Sequence, residues 1–132
     1  MNEKAEKGLA LFAEIYGDDM AKGLYAQVER GAPFSGLQSE WTIEWSFGSV
    51  WVREQLERRM RSCAVLGMLI GQGAEDEIVY HTKMGIANGL TRQEIEEIFY
   101  TAIPYCGFPA ANTAKRAMLA AFAELDGQEA RR

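Results

Sequence analysis

Apolar residues recur along this chain at three- and four-residue intervals, and no run of alternating β-branched residues interrupts them, so helix is the dominant local signal. Leu9, Phe12, Ala13 and Tyr16 mark a first helix that stops at Gly17, and Asp18 and Asp19 cap a second that runs through Met20, Leu24 and Val28. Gly31-Ala32-Pro33 ends it. Leu37, Trp41, Glu44, Trp45 and Gly48 then fall on one aromatic stripe of a third helix, and residues 54–72 predict a longer one with Leu56, Met60, Cys63, Gly67 and Ile70 turned inward.

Punctuation is clearest in the carboxy-terminal half. Residues 74–88 read as a helix stopped by Gly89, after which Thr91-Arg92-Gln93-Glu94 is a capping box with Leu90 and Ile95 as its hydrophobic staple. Ile95, Ile98, Phe99 and Ala102 continue at helical period until Pro104, Gly107 and Pro109 interrupt, and Pro109 suits the first turn of a last helix through Ala114, Met118, Ala121, Phe122 and Leu125. The pattern predicts an all-α fold of six or seven helices, forming one domain over residues 1–132.

Composition agrees and narrows the function. A chain of 132 residues that is 48% hydrophobic and 25% charged can bury a real core. The longest apolar run, residues 63–70, is far short of the roughly 18 needed to cross a bilayer, and the amino terminus has no apolar signal region, so a soluble cytoplasmic protein is expected, with no membrane partner. A net charge of −5 removes the electrostatic footprint for nucleic acid. Cys63 and Cys106 have neither redox-motif nor zinc spacing and read as reduced, partly buried thiols.

His81 is the single histidine and the first candidate acid or base, because its unperturbed pKa lies near neutrality. Glu77, four residues earlier on the same helical face, is placed to hold one imidazole nitrogen and fix its tautomer. The alternative is a core histidine satisfied by a backbone carbonyl, with Glu77 a surface charge. Glu44 is a second candidate, since a carboxylate among Trp41, Trp45 and Gly48 would be desolvated and suited to proton transfer. Arg59 and Arg61 flank the inward face of their helix, and either is placed to clamp a substrate carboxylate, whereas Arg58 points away. No phosphate-cradling glycine loop or dinucleotide fingerprint is present, and one histidine without a carboxylate cluster is poor material for a metal site, so no metal and no cofactor are expected.

The stretch Glu44-Trp45-Ser46-Phe47-Gly48-Ser49-Val50-Trp51, then Leu56-Glu57-Arg58-Arg59-Met60-Arg61-Ser62, Glu77, His81, Asn88-Gly89-Leu90-Thr91, Glu94-Ile95 and Tyr105-Cys106-Gly107-Phe108-Pro109-Ala110-Ala111 resembles the carboxymuconolactone decarboxylase family of aromatic-compound degradation. The resemblance implies the all-helical alkylhydroperoxidase D-like fold, a ring-shaped homo-oligomer of trimeric or hexameric type, and a lyase. It also implies that peroxidase chemistry is absent, because Ala74 and Glu77 stand where the peroxidase branch has its cysteine pair, and Ser62 where it has a glutamate. Phe47 replaces a family tryptophan. Phe12 and Ala13 stand where the decarboxylases carry arginine, and if that arginine contacts a substrate carboxylate, the substrate here differs.

In a γ-carboxylated butenolide the electrons left by carbon dioxide flow into the lactone carbonyl, so the substrate is its own electron sink. The protein then needs a cation to orient a carboxylate, a weakly hydrated wall and an acid. Arg61 or Arg59, the Trp45, Trp51 and Tyr105 aromatics, and His81 fit those roles, with Glu44 assisting the proton transfer or holding His81. Two other readings stand beside a decarboxylase of a small lactone carboxylate: an isomerase or hydrolase of lactones or enols on the same scaffold, and a catalytically silent oligomeric helical protein.

Overall fold

The structure, a computed structural model, describes residues 1–131. Seven α-helices and one π-helical segment make up the regular structure of the described residues: α1 (Glu3–Tyr16), α2 (Asp18–Arg30), α3 (Gly36–Trp41), the π-helix (Thr42–Trp51), α4 (Arg58–Gln72), α5 (Glu75–Ala87), α6 (Arg92–Cys106) and α7 (Phe108–Ala130). The chain packs as two compact units, Met1–Leu56 and a second that starts at Glu57. None of the described helices is long and apolar enough to cross a membrane.

In the first unit α1 lies against the π-helix with almost nothing between the two backbones. A Cβ on Gly8 would fall 1.9 Å from the Ile43 carbonyl oxygen, and one on Gly48 would fall 2.1 Å from that of Lys4. Beyond this contact Phe12, Tyr16, Phe47 and Trp51 form an aromatic cluster, with Phe12 edge-on to Phe47 at 5.1 Å and Phe47 stacked on Trp51 at 6.4 Å. Phe12 is therefore a packing residue.

The expected stripe of the third helix is not the buried one. After the single α-helical turns of α3 the winding widens to i→i+5: the Val52 N–H donates to the Phe47 carbonyl at 3.2 Å, and the Ser49 hydroxyl to that of Glu44 at 2.9 Å. The wider turn buries Ile43, Phe47, Gly48 and Trp51 and leaves Leu37, Trp41 and Trp45 exposed. Met20, expected inside α2, is also exposed, and Ala21 takes the inner position.

The second unit packs α4, α5, α6 and α7 around Leu66, Ile70, Ile78, Leu90, Ile95 and the alanine face of α7. Its α4 is rotated and shortened relative to expectation. It begins at Arg58 and buries Ser62, Leu66 and Ile70, so Met60, Cys63 and Gly67 face outward and Leu56 precedes the helix. Gly73 ends it in the left-handed region (φ 67°), which a side chain rarely adopts. The capping box and staple form as read: the Glu94 N–H donates to the Thr91 hydroxyl at 3.0 Å, the Thr91 N–H to the Glu94 carboxylate at 3.0 Å, and Leu90 and Ile95 are both buried. Pro104 does not break α6 but sits in its last turn, and Pro109 opens α7. Ala111, Ala114, Ala117 and Ala121 let α7 lie close to its neighbours, with Lys83–Glu124 (2.6 Å) and Arg116–Glu75 (2.8 Å) as ion pairs at its surface.

Candidate functional site

The three acids of the first turn of α5, Glu75, Asp76 and Glu77, complement the positive end of its dipole, and Ile78, Thr82, Met84 and Gly85 turn inward. His81 stands at the edge of that inner face, which gives it a side chain 18% exposed beside a Glu77 side chain 63% exposed. The imidazole Nε2 lies 3.8 Å from the Glu77 carboxylate, beyond hydrogen-bond length but within electrostatic reach. Nδ1 is buried without a hydrogen-bond partner, and the Tyr80 ring meets the imidazole edge-on at 5.6 Å. Burial pushes the His81 pKa below its ordinary value of 6.5, with the Glu77 charge pulling partly back, so the imidazole is mainly neutral at pH 7.

Across from this face α4 presents Ser62 and Leu66 to Gly85, where an added Cβ would lie 3.7 Å from Leu66 Cδ1 and 3.8 Å from Ser62 Cβ. The Asn88 amide donates to the buried Ser62 hydroxyl at 2.9 Å and fastens the end of α5 to α4. Spacing did not reveal this pair. Asn88-Gly89 reads only as a helix stop, and nothing local says that the amide turns inward.

The two arginines separate. Arg59 is ion-paired with Glu94, the carboxylate of the capping box, whose pKa is held low by the Thr91 backbone N–H and by Arg59. Arg61 is half-buried on α4. Arg59 and Glu94 border an apolar cleft of about 820 Å³ between α4 and α6, lined also by Met60, Cys63, Ile98, Tyr105 and Cys106. Tyr105 is 86% exposed there. Both cysteines are exposed rather than partly buried, because α4 is rotated away from the expected face and Cys106 ends α6. His81 does not line this cleft. Its charged members are Arg59, Glu94 and Glu97, of which the first two are ion-paired with each other.

Of the residues singled out in the sequence, the structure thus brings together His81 and Glu77 on α5, and Arg59 and Tyr105 on the cleft. In the first unit Glu44 is half-buried, Trp51 is core and Trp45 is 68% exposed. The π-helical winding puts Trp45 and Trp51 in different environments, so they do not share one aromatic wall. Among the described residues no group of three or more histidine, cysteine or carboxylate side chains is gathered to hold a metal ion.

Comparison with known proteins bears on the same residues. Over 105 residues, 80% of this chain and 71% of the relative, the sequence is 34% identical to the nitrosuccinic acid decarboxylase of Metarhizium robertsii. Over 112 residues, 85% of this chain and 81% of the relative, it is 29% identical to the 4-carboxymuconolactone decarboxylase of Acinetobacter baylyi. The carboxymuconolactone decarboxylase profile matches residues 39–120, which include the π-helix, His81 and Tyr105, and with it the chain belongs to the carboxymuconolactone decarboxylase family.

Proposed function

We propose that this protein is a carboxy-lyase that removes carbon dioxide from a small carboxylated substrate without a cofactor, with His81 supplying the proton. The observation that carries the reading is the imidazole of α5, half-sealed from water and neutral at rest, in a chain whose named relatives are decarboxylases. An incoming anion raises the proton affinity of that imidazole by Coulomb attraction in a weakly hydrated place, so the imidazole becomes charged when substrate arrives. The cation then protonates the carbanion equivalent left by carbon dioxide. Arg61, half-buried on α4, orients a substrate carboxylate.

The substrate class follows from the electron sink. In a carboxylated lactone the ring carbonyl takes the electrons. In nitrosuccinic acid, the substrate in one relative's name, the nitro group takes them as a nitronate. The resemblance puts Phe12 and Ala13 where the decarboxylases carry arginine, and with the substrate in one relative's name this makes a nitro or similarly activated diacid the second substrate reading. Self-association completes the proposal, because exposed Trp41, Trp45, Met60, Tyr105 and Phe108 need cover.

Carbon dioxide release from 4-carboxymuconolactone and from nitrosuccinate, measured on the wild type and on His81→Ala, tests this. Wild-type turnover of at least one substrate is expected, falling by roughly 10²–10⁴-fold in the variant while its circular dichroism is kept. Release from neither substrate, or equal rates in both proteins, would refute it.

A further inference from the structure

Every decarboxylation releases carbon dioxide and places one proton on carbon, so the imidazole that gives the proton must regain one from water in each cycle. His81 is badly placed to do this alone. Its Nδ1 is buried without a partner, and little of the side chain meets solvent, which leaves Nε2 as the working nitrogen. The group facing Nε2 is the carboxylate of Glu77, 3.8 Å away, on a side chain that is mostly in water.

Resting on the His81 reading above, we infer that Glu77 is the proton-feeding residue of the site, carrying one proton from solvent to His81 Nε2 in each cycle as substrate arrives. The atoms balance: the Glu77 carboxylate takes a proton from hydronium or a buffer acid in the solvent, hands it to the Nε2 lone pair and returns to its anion. The imidazolium then gives the proton to the substrate carbon, whose bond to the departing carbon dioxide has left its electron pair on the acceptor group. The sum is one carboxylate and one proton in, one C–H and one carbon dioxide out.

The gap of 3.8 Å is too long for the transfer itself, but rotation of the exposed Glu77 side chain by about 1 Å brings it within the roughly 2.6–3.2 Å that proton transfer needs. Three charged groups on neighbouring helices are paired with other residues: Glu124 of α7 with Lys83, Arg116 of α7 with Glu75, and Arg59 of α4 with Glu94. Arg58 and Arg61 are the further charges of α4. Glu77 is the carboxylate whose charge acts on the imidazole.

Glu77→Gln keeps the shape and removes the relay. In dilute buffer, with whichever of the two substrates the wild type turns over, the variant should release about one carbon dioxide per protonated site in a burst. Steady turnover should then run roughly ten- to a hundredfold below wild type with little change in KM. Added imidazole buffer at pH 6.5 should restore that rate in proportion to its concentration while leaving the wild type unaffected, a rescue that a merely structural brace would not show. Because the chain has one histidine, a single imidazole NMR signal also reports the pair without substrate, and its midpoint should fall in Glu77→Gln as the facing negative charge is lost. The relay is overturned if Glu77→Gln turns over at the wild-type rate, if its slow turnover is not rescued by buffer, or if the NMR midpoint does not move. Wild-type turnover in His81→Gln would instead overturn the assignment of His81 itself.

Discussion

In the first unit α1 and the π-helix meet through Gly8 and Gly48, backbone on backbone, and the aromatic rings of Phe12, Phe47 and Trp51 fill the space beyond. In the second the helices meet through branched and small side chains, Leu66, Ile70, Ile78 and Ile95 against the alanines of α7, with caps and ion pairs at the edges. Each unit is therefore brittle in a different way. A backbone contact tolerates no added atom, because neither side can change rotamer to make room, whereas a side-chain core spreads a change over several neighbours.

Glycine substitutions expose that contrast most sharply. Gly48→Ala forces a methyl to within 2.1 Å of a backbone carbonyl, so the π-helix must part from α1, and a loss of about 3 kcal/mol or more is expected in urea denaturation. In the second unit Gly67→Ala and Gly71→Ala, on α4 with nothing within 4 Å, should instead gain up to about 1 kcal/mol through helix propensity. If Gly48→Ala proved as benign as Gly67→Ala, the close approach of the two backbones in the first unit would be wrong.

A smaller effect separates caps that are built from side chains from helix starts that are not. Thr91→Ala removes half of the capping box of α6 and should cost about 1 kcal/mol, read as a lower denaturation midpoint. In the first unit α2 starts after Gly17 with no side-chain cap bond, so Asp18→Ala loses only its attraction to the helix dipole, a few tenths of a kcal/mol. Equal losses would erase the distinction.

The smallest effect is linked to pH and belongs to the second unit. Folding lowers the His81 pKa below its unfolded value of 6.5, so between the two values the unfolded chain binds more protons and stability rises with pH. That contribution is complete above pH 6.5 and is lost as the pH falls through the folded value. Thermal unfolding between pH 7.5 and 5 should therefore show a decline in the wild type that His81→Asn lacks. Glu75, Glu94 and Asp126, whose carboxyls are held low by Arg116, by the Thr91 backbone together with Arg59, and by Arg92 respectively, weaken the fold in a separate and more acidic window.

The same two regions mark how far reading residues carried. From residue 74 onward, helix limits, the capping box, its staple and the opening Pro109 were legible, because each is set by residues within four positions of one another. His81 with Glu77 was legible for the same reason, being one helical turn. Around α3 and the π-helix the reading failed, since counting at 3.6 residues per turn assigns Trp41 and Trp45 to the core, and the observed winding assigns Ile43, Phe47 and Trp51. A similar rotation turned Cys63 and Met60 outward and Ser62 inward on α4.

Local sequence sets this protein's all-helical character, where most of its helices start and stop and its membership of the decarboxylase family, and it puts a carboxylate one helical turn from its one histidine. Those properties come from local propensity, caps and short spacings, which act before any two helices meet. Tertiary structure alone decided the π winding at Gly48, the inward turn of Ser62 and Asn88, the commitment of Arg59 to Glu94, and the burial of His81 Nδ1. Each depends on how closely a second helix approaches, and that distance is set by the summed shapes of residues far apart along the chain.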